Sequence, residues 1–341
     1  MPKKVKIAFV GSGGMANAHS QALAQRPGVT IAAFCDVELA RARAIAERYH
    51  AAAFKKPAEM FDEVQPDGVY FCLPPFAHGA EFEAIARGIP FFVEKPINLD
   101  LGQAREIAAA AETKGVISCA GYMNRYRKGV QKVRELLAQD PAVMVTGGWI
   151  GGTPRPNPNY GIWTWWVQKK KSGGQFLEQV THTVDLARFL VGSEAVEVSA
   201  YAATGFNTGT PDTYDLDDAA LVNIRFASGA IANLWSSCSS NAAGGVSLNV
   251  YATKHAAFFT GWNHSVRILE ATSVRGKTVK KEQQIEGEDD IFALEDAAFV
   301  RAISRQDQSQ VMSSYPDAVN TLAISVAANR SIKTGKPVAL K

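Results

Sequence analysis

Gly11-Ser12-Gly13-Gly14-Met15-Ala16 is a GxGxxA run, and an acid, Asp36, stands 20 residues beyond its end. Gly11 permits a tight turn, Gly13 lets backbone approach a pyrophosphate, and Ala16 is small enough for close helix–strand packing. A helix opening on this run directs free N–H groups and partial positive charge at phosphates, so Ser12, Gly14 and Met15 complete a candidate dinucleotide loop. A carboxylate at Asp36 can accept hydrogen bonds from an adenosine ribose and repels a 2′-phosphate. This favours NAD over NADP, although Arg41 and Arg43 leave NADP open.

Two further clusters suit proton chemistry. Phe91-Phe92-Val93 runs into Glu94-Lys95-Pro96, which puts a lysine at the end of an apolar strand. Beside a cationic oxidised nicotinamide, such a lysine would have a lowered pKa and could share a proton with a substrate hydroxyl. The tripeptide alone is equally well read as a Glu–Lys ion pair at a strand end. Glu178, His182 and Asp185 are spaced i, i+4, i+7, one face of a single predicted helix over Phe176–Leu190. His182 is suited to accept a proton from an alcohol, and a carboxylate one turn away can orient it. The same spacing also describes a solvated polar face. No His or Cys cluster has a metal-ligand spacing, so no metal is expected.

The elements that must position these residues follow from the apolar pattern. Strands are predicted at Val5–Val10, Thr30–Cys35, Gly68–Leu73, Phe91–Val93 and Val116–Ala120, with helices at Met15–Gln25, Val37–Tyr49, His78–Arg87 and Leu101–Lys114. Near-continuous apolar strands alternating with helices imply a parallel, doubly wound sheet covered on both faces, an α/β domain over residues 1–123. Residues 124–341 read as an α+β domain with a largely antiparallel open sheet. Its predicted helices are Gly129–Gln139, Phe176–Leu190, Asp289–Ser304 and Pro316–Thr334. The predicted strands are Val143–Ile150, Leu221–Phe226, Ala230–Ser236, Val246–Thr253 and Ala256–Thr260. Gly151–Tyr160, with prolines at 154, 156 and 158, reads as a turn-rich stretch.

Composition narrows the class. The 341 residues include 47% hydrophobic and 20% charged side chains, enough for two cores. The net charge of +3 is dispersed apart from Lys169–Lys171, which does not suit a nucleic-acid binder. No apolar run is long enough to span a membrane, and the four cysteines form no CxxC pair. A cytoplasmic protein with reduced thiols is expected.

Taken together, the glycine run, Cys72-Leu73-Pro74-Pro75 with His78, Glu94-Lys95-Pro96, and Gly173-Gly174 followed by Glu178, His182 and Asp185 resemble the Gfo/Idh/MocA oxidoreductases over nearly the whole chain. The resemblance implies an N-terminal Rossmann domain, Lys95 as catalytic lysine, a cis bond before Pro96, and Leu73, Pro74, Pro75, His78 and Glu94 around the nicotinamide end of NAD. It also implies subunits packed through the second-domain sheet, as a homodimer or homotetramer. Where the family more often carries aspartate, this chain has Glu178, so its substrate contact stays open.

Four tryptophans, Trp149, Trp163, Trp165 and Trp166, fall close together, with Arg155, Asn157, Asn159 and Tyr160 between them. Aromatic faces with amide and guanidinium donors suit a polyhydroxylated ring, and Trp clusters equally serve cores. Tyr122 and Arg125 at the domain junction either touch substrate or bridge the domains. The expected activity is NAD-dependent oxidation of a secondary alcohol of a sugar, inositol or related polyol, bound between the domains. The rivals are a redox-neutral NAD-dependent lyase or glycosidase and a catalytically silent NAD-binding regulator.

Overall fold

The computed structural model describes residues 4–155, 163–208, 210, 212–274, 277–288 and 290–340. The chain divides into two compact units, Met1–Met123 with Asp290–Val319, and Asn124–Asp289 with Asn320–Lys341.

The first unit runs β1 (Val5–Val10), α1 (Gly14–Ala24), β2 (Val29–Cys35), α2 (Leu39–Ala46), β3 (Ala52–Phe54), α3 (Pro57–Val64), β4 (Gly68–Phe71), α4 (Glu81–Ala86), β5 (Phe91–Val93), α5 (Leu101–Lys114) and β6 (Ser118–Ala120). The six strands lie in the order β3-β2-β1-β4-β5-β6, every neighbouring pair parallel. This is the doubly wound α/β sheet expected from the alternation of apolar strands and helices. Its order reverses between β1 and β4, and ligands of such sheets bind at the carboxyl ends beside that reversal. Ile7, Phe9, Phe34, Tyr70 and Phe92 are wholly buried, as strands covered on both faces require. The Asp100 carboxylate caps α5 by accepting from the Gly102 and Gln103 N–H groups, and Gly115 ends that helix at φ 67°.

The second unit continues with α6 (Lys128–Leu137), β7 (Met144–Ile150), α7 (Trp163–Trp166), α8 (Lys169–Ser172), α9 (Gln175–Glu178), α10 (Thr181–Val191), β8 (Ala195–Ala203), β9 (Ala219–Phe226), β10 (Ile231–Ser237), β11 (Gly245–Tyr251), β12 (His255–Thr260), β13 (Ser265–Val274) and β14 (Lys277–Ile285). After these the chain forms α11 (Ile291–Arg305), which belongs to the first unit, then α12 (Tyr315–Thr334) and β15 (Val338–Ala339). Nine strands form one sheet, β14-β13-β12-β11-β7-β10-β9-β8-β15. It is antiparallel except where β10 lies parallel to β7. Along β9, Ala220, Val222, Ile224 and Phe226 are buried while Leu221 and Asn223 face out. The β9–β10 hairpin turns at Gly229, φ +88°, which only a residue without a Cβ adopts at little cost.

Several elements differ from the sequence reading. The stretch read as one helix over Phe176–Leu190 is two helices, α9 and α10, which meet at Gln179 and the β-branched Val180. The helix read from His78 begins only at Glu81, so His78 precedes it. Strands β3, β8, β13, β14 and β15 and helices α3, α7 and α8 were not expected. Lys277–Ile285 is largely polar and exposed and has no apolar alternation to reveal it. α11 packs on α1 and β1 of the first unit, with Phe299, Ala302 and Ile303 joining Ile7, Phe9 and Tyr70 in one core. A helical period reveals an apolar stripe but not which sheet will cover it. Pro156, Asn157, Pro158, Asn159 and Tyr160 lie outside the described residues. Among the described residues no helix is long and apolar enough to cross a membrane.

Candidate active site

The loop after β1 is held at the centre of the first sheet. Gly11 N–H donates to the Cys35 carbonyl at 2.8 Å, and a Cβ on Gly11 would stand 2.3 Å from the Cys72 carbonyl oxygen. Gly11, at φ +93°, is therefore required on two counts, backbone conformation and close approach to the strand-end loop carrying Leu73. At Gly13 and Gly14 an added Cβ would meet nothing within 4 Å. The first intrahelical bond of this turn runs from Asn17 N–H to Gly13 O, which leaves the N–H groups of Gly14, Met15 and Ala16 available at the start of α1. No acid sits in that first turn, and among the described residues the buried Ser12 hydroxyl has no hydrogen-bond partner. An open backbone cradle, unused donors and an orphaned hydroxyl fit the pyrophosphate of a dinucleotide.

Asp36 follows β2 directly. Its Oδ2 accepts from Ser12 N–H at 3.0 Å and its Oδ1 from Glu38 N–H at 2.9 Å. The carboxylate is thus fixed against the glycine loop, only half-buried, with lone pairs left for a ribose.

After β4, Leu73 and Pro74 are half-buried and Pro75 is buried. His78 Nδ1 lies 2.6 Å from Glu81 Oε1, and Glu81 Oε2 accepts from Gly79 N–H at 2.6 Å. Burial alone would raise the Glu81 carboxyl. His78 and the Gly79 N–H outweigh it and hold that carboxyl below its usual range. Among the described residues the buried His78 Nε2 atom has no hydrogen-bond partner.

At the end of β5, Glu94 Oε2 accepts from Lys95 N–H at 3.0 Å, and the Lys95–Pro96 bond is cis. Glu94 Oε1 is 2.9 Å from His19 Nε2, and His19 Nδ1 is 2.8 Å from Asp296 Oδ1, which also accepts from the Tyr70 hydroxyl at 3.0 Å. Burial would lower the His19 pKa, but Asp296 and Glu94 overcome it and lift it to about 10. His19, Glu81, Gly121 and Asp296 were missed in the sequence. The available signal was an acid pair, Glu295-Asp296, inside the apolar stripe of α11, and both of these acids are wholly buried.

In the second unit, Glu178 ends α9 and its Oε2 accepts from Trp166 Nε1 at 2.8 Å. His182 stands half-buried in the first turn of α10. Glu178 lies in α9, whereas His182 and Asp185 lie one turn apart in α10, and the two residues between the helices, Gln179 and Val180, keep right-handed helical backbone. Asp185 pairs with Arg125, whose Nε donates at 2.8 Å and Nη2 at 2.5 Å, and accepts from Thr321 at 3.1 Å. Arg125, 3% exposed, also lies over the Phe189 ring at 4.9 Å, so its guanidinium has an internal partner. Trp166 is core with Val167 and Leu216, and Trp165 packs half-buried against them. Tyr122, in the first unit, is 1% exposed. Lys169 pairs with Asp217 at 2.5 Å, which removes it from a simple solvated lysine run.

The 710 Å³ hollow of the first unit, lined by Lys4, Phe61, Asp62, Arg87 and Ile303, opens at the amino ends of the strands. Doubly wound sheets bind ligands at the other end, where Gly11, Asp36 and Lys95 lie.

Residues 5–122 match the model of an oxidoreductase family with an NAD-binding Rossmann fold, and residues 130–258 match that of the GFO/IDH/MocA C-terminal domain. The chain is 25% identical over 346 residues to scyllo-inositol 2-dehydrogenase (NAD(+)) of Bacillus subtilis (strain 168), covering 100% of this chain and 97% of the relative. It is 28% identical over 251 residues to D-glucoside 3-dehydrogenase of Escherichia coli (strain K12), 68% of this chain and 69% of the relative. Among solved structures, levoglucosan dehydrogenase in complex with NADH superposes with a TM-score of 0.85 at 18% identity, covering 99% of this chain and 100% of that one.

Proposed function

The chain belongs to the Gfo/Idh/MocA oxidoreductases, and from that premise we propose that it is an NAD-dependent dehydrogenase acting on a secondary alcohol of a sugar, inositol or related polyol. The Gly11–Met15 loop and the N-terminal N–H groups of α1 bind the pyrophosphate, and Asp36 accepts from the adenosine ribose. Leu73, Pro74, Pro75, His78 and Glu94 border the nicotinamide end. When bound, NAD supplies the hydride acceptor for the carbinol carbon.

His182 accepts the hydroxyl proton as the hydride leaves. The Lys95 ammonium donates a hydrogen bond that stabilises the developing alkoxide. Glu178, held by the Trp166 indole, orients His182 or a neighbouring substrate hydroxyl. Trp165 contacts substrate, whereas Tyr122, 1% exposed, serves the core. Arg125 is not placed among them, since it already serves Asp185. The inositol and glucoside named for the relatives support the substrate class.

The observation that carries this reading is the position of Lys95, directly after the β5 carboxyl end of the same sheet whose glycine loop and Asp36 form a dinucleotide cradle. The experiment is a panel of inositols, glucosides and free sugars incubated with NAD while NADH absorbance is followed. A net dehydrogenase forms NADH stoichiometrically with at least one of them. Product without NADH accumulation would replace this reading with a redox-neutral one, and binding without product would replace it with a regulator.

A further inference from the structure

His19 projects from α1 into the interior of the first unit and meets a carboxylate at each ring nitrogen, Glu94 at 2.9 Å and Asp296 at 2.8 Å. His19 and Asp296 are 0% exposed and Glu94 is 4% exposed. A neutral imidazole has one donor and cannot satisfy two carboxylates, so this trio holds one proton more than a neutral histidine flanked by two anions. Its surroundings are aromatic, with Phe92 and Phe292 edge-on at centroid distances of 5.0 and 5.3 Å and Tyr70 tilted at 5.3 Å.

For stability alone, apolar side chains would serve such a site at least as well as a buried ionic trio. The trio does something an apolar cluster cannot, which is to fix one carboxylate in orientation. Glu94 Oε1 is gripped by His19, so Oε2 is turned to accept the Lys95 N–H at 3.0 Å. From the other side, a Cβ on Gly121 would stand 3.1 Å from Glu94 Oε1, so the backbone there leaves the carboxylate just this space. Asp296 in turn is held by Tyr70 as well as by His19.

We propose that His19 and Asp296 are positioning residues for Lys95, acting through the Glu94 carboxylate that anchors the Lys95 backbone. The proposal rests on the reading of Lys95 as the lysine that stabilises the alkoxide. Small displacements of such a group reduce rate steeply while leaving remote binding contacts intact.

Two variants test it from opposite sides. Asp296→Asn removes the charge that holds His19 but keeps the side-chain size, and Gly121→Ala presses on Glu94 without touching any charge. Each is expected to lower kcat by roughly 10-fold or more, with KM and the NAD dissociation constant within about twofold. Each should also speed hydrogen exchange of the Lys95 amide while the β1 and β4 amides stay protected. Exchange needs only folded protein, so it reports on the anchor even where turnover fails for other reasons. Unchanged Lys95 exchange in both variants overturns the proposal. So does faster exchange spread evenly through the first unit, the mark of general loosening. If Lys95→Met retains turnover, the functional reading falls, whereas the exchange result still decides whether this network holds the loop.

Discussion

The Asp36 carboxylate accepts the Ser12 backbone N–H at 3.0 Å, which ties the end of β2 to the glycine loop that follows β1. Under the proposed function two roles meet in one side chain, since the carboxylate that steadies the loop would also accept from the ribose. Asp36→Ser is expected to weaken NAD binding and to narrow or reverse the preference against NADP. Calorimetric titration with both cofactors checks this, and unchanged dissociation constants would remove Asp36 from the site.

Lys95→Met and His182→Ala should keep near-normal melting temperature and NAD affinity while turnover drops by at least ~100-fold, the scale of a positioned acid–base group. Either variant turning over like wild type would return that residue to a structural role.

Arg125→Met leaves the buried Asp185 carboxylate without its ionic partner. Breaking a buried pair from one side costs about 3–5 kcal/mol, so the variant should unfold at distinctly lower denaturant concentration with KM little changed. A raised KM with full stability would make Arg125 a substrate contact after all.

The proton on His19 makes stability depend on pH. Its folded pKa of about 10 exceeds the unfolded value near 6.5, so the network's contribution is complete below about pH 6.5 and is lost as pH rises through about 10. The partners facing it are Asp296, Glu94 and the Tyr70 hydroxyl. Urea unfolding across this window should show wild type weakening with rising pH and His19→Asn weakening less. Equal slopes for the two proteins would mean that His19 is not protonated in the fold.

On the outward face of the second sheet, Leu221 pairs across strands with Tyr201 on one side and Trp235 on the other. Tyr201 is 74% exposed and Leu221 54%, an apolar patch of the kind that subunits cover, bordered by the Asn223–Asn233 pair. Sedimentation should find a dimer or tetramer, and Leu221→Lys should shift it toward the single chain. A wild-type monomer at micromolar concentration would contradict assembly through this face.

Much of the first unit was legible in the sequence because its strands announce themselves. Val5–Val10 and Val29–Cys35 are largely apolar strands, and they run directly into Gly11, with its positive φ, and into the acid at Asp36. Local grammar of this kind needs no knowledge of what lies far along the chain. Tertiary structure alone decided the rest. Whether Glu178 shared a helix with His182 depended on the junction at Gln179 and Val180, a balance of small propensities that spacing does not register. Which sheet α11 would cover, and hence that Asp296 would reach His19 277 positions away in sequence, was set by core packing. Arg125 and Asp185 illustrate the same limit, for a charge in a sequence looks free to bind substrate until folding buries it against a partner.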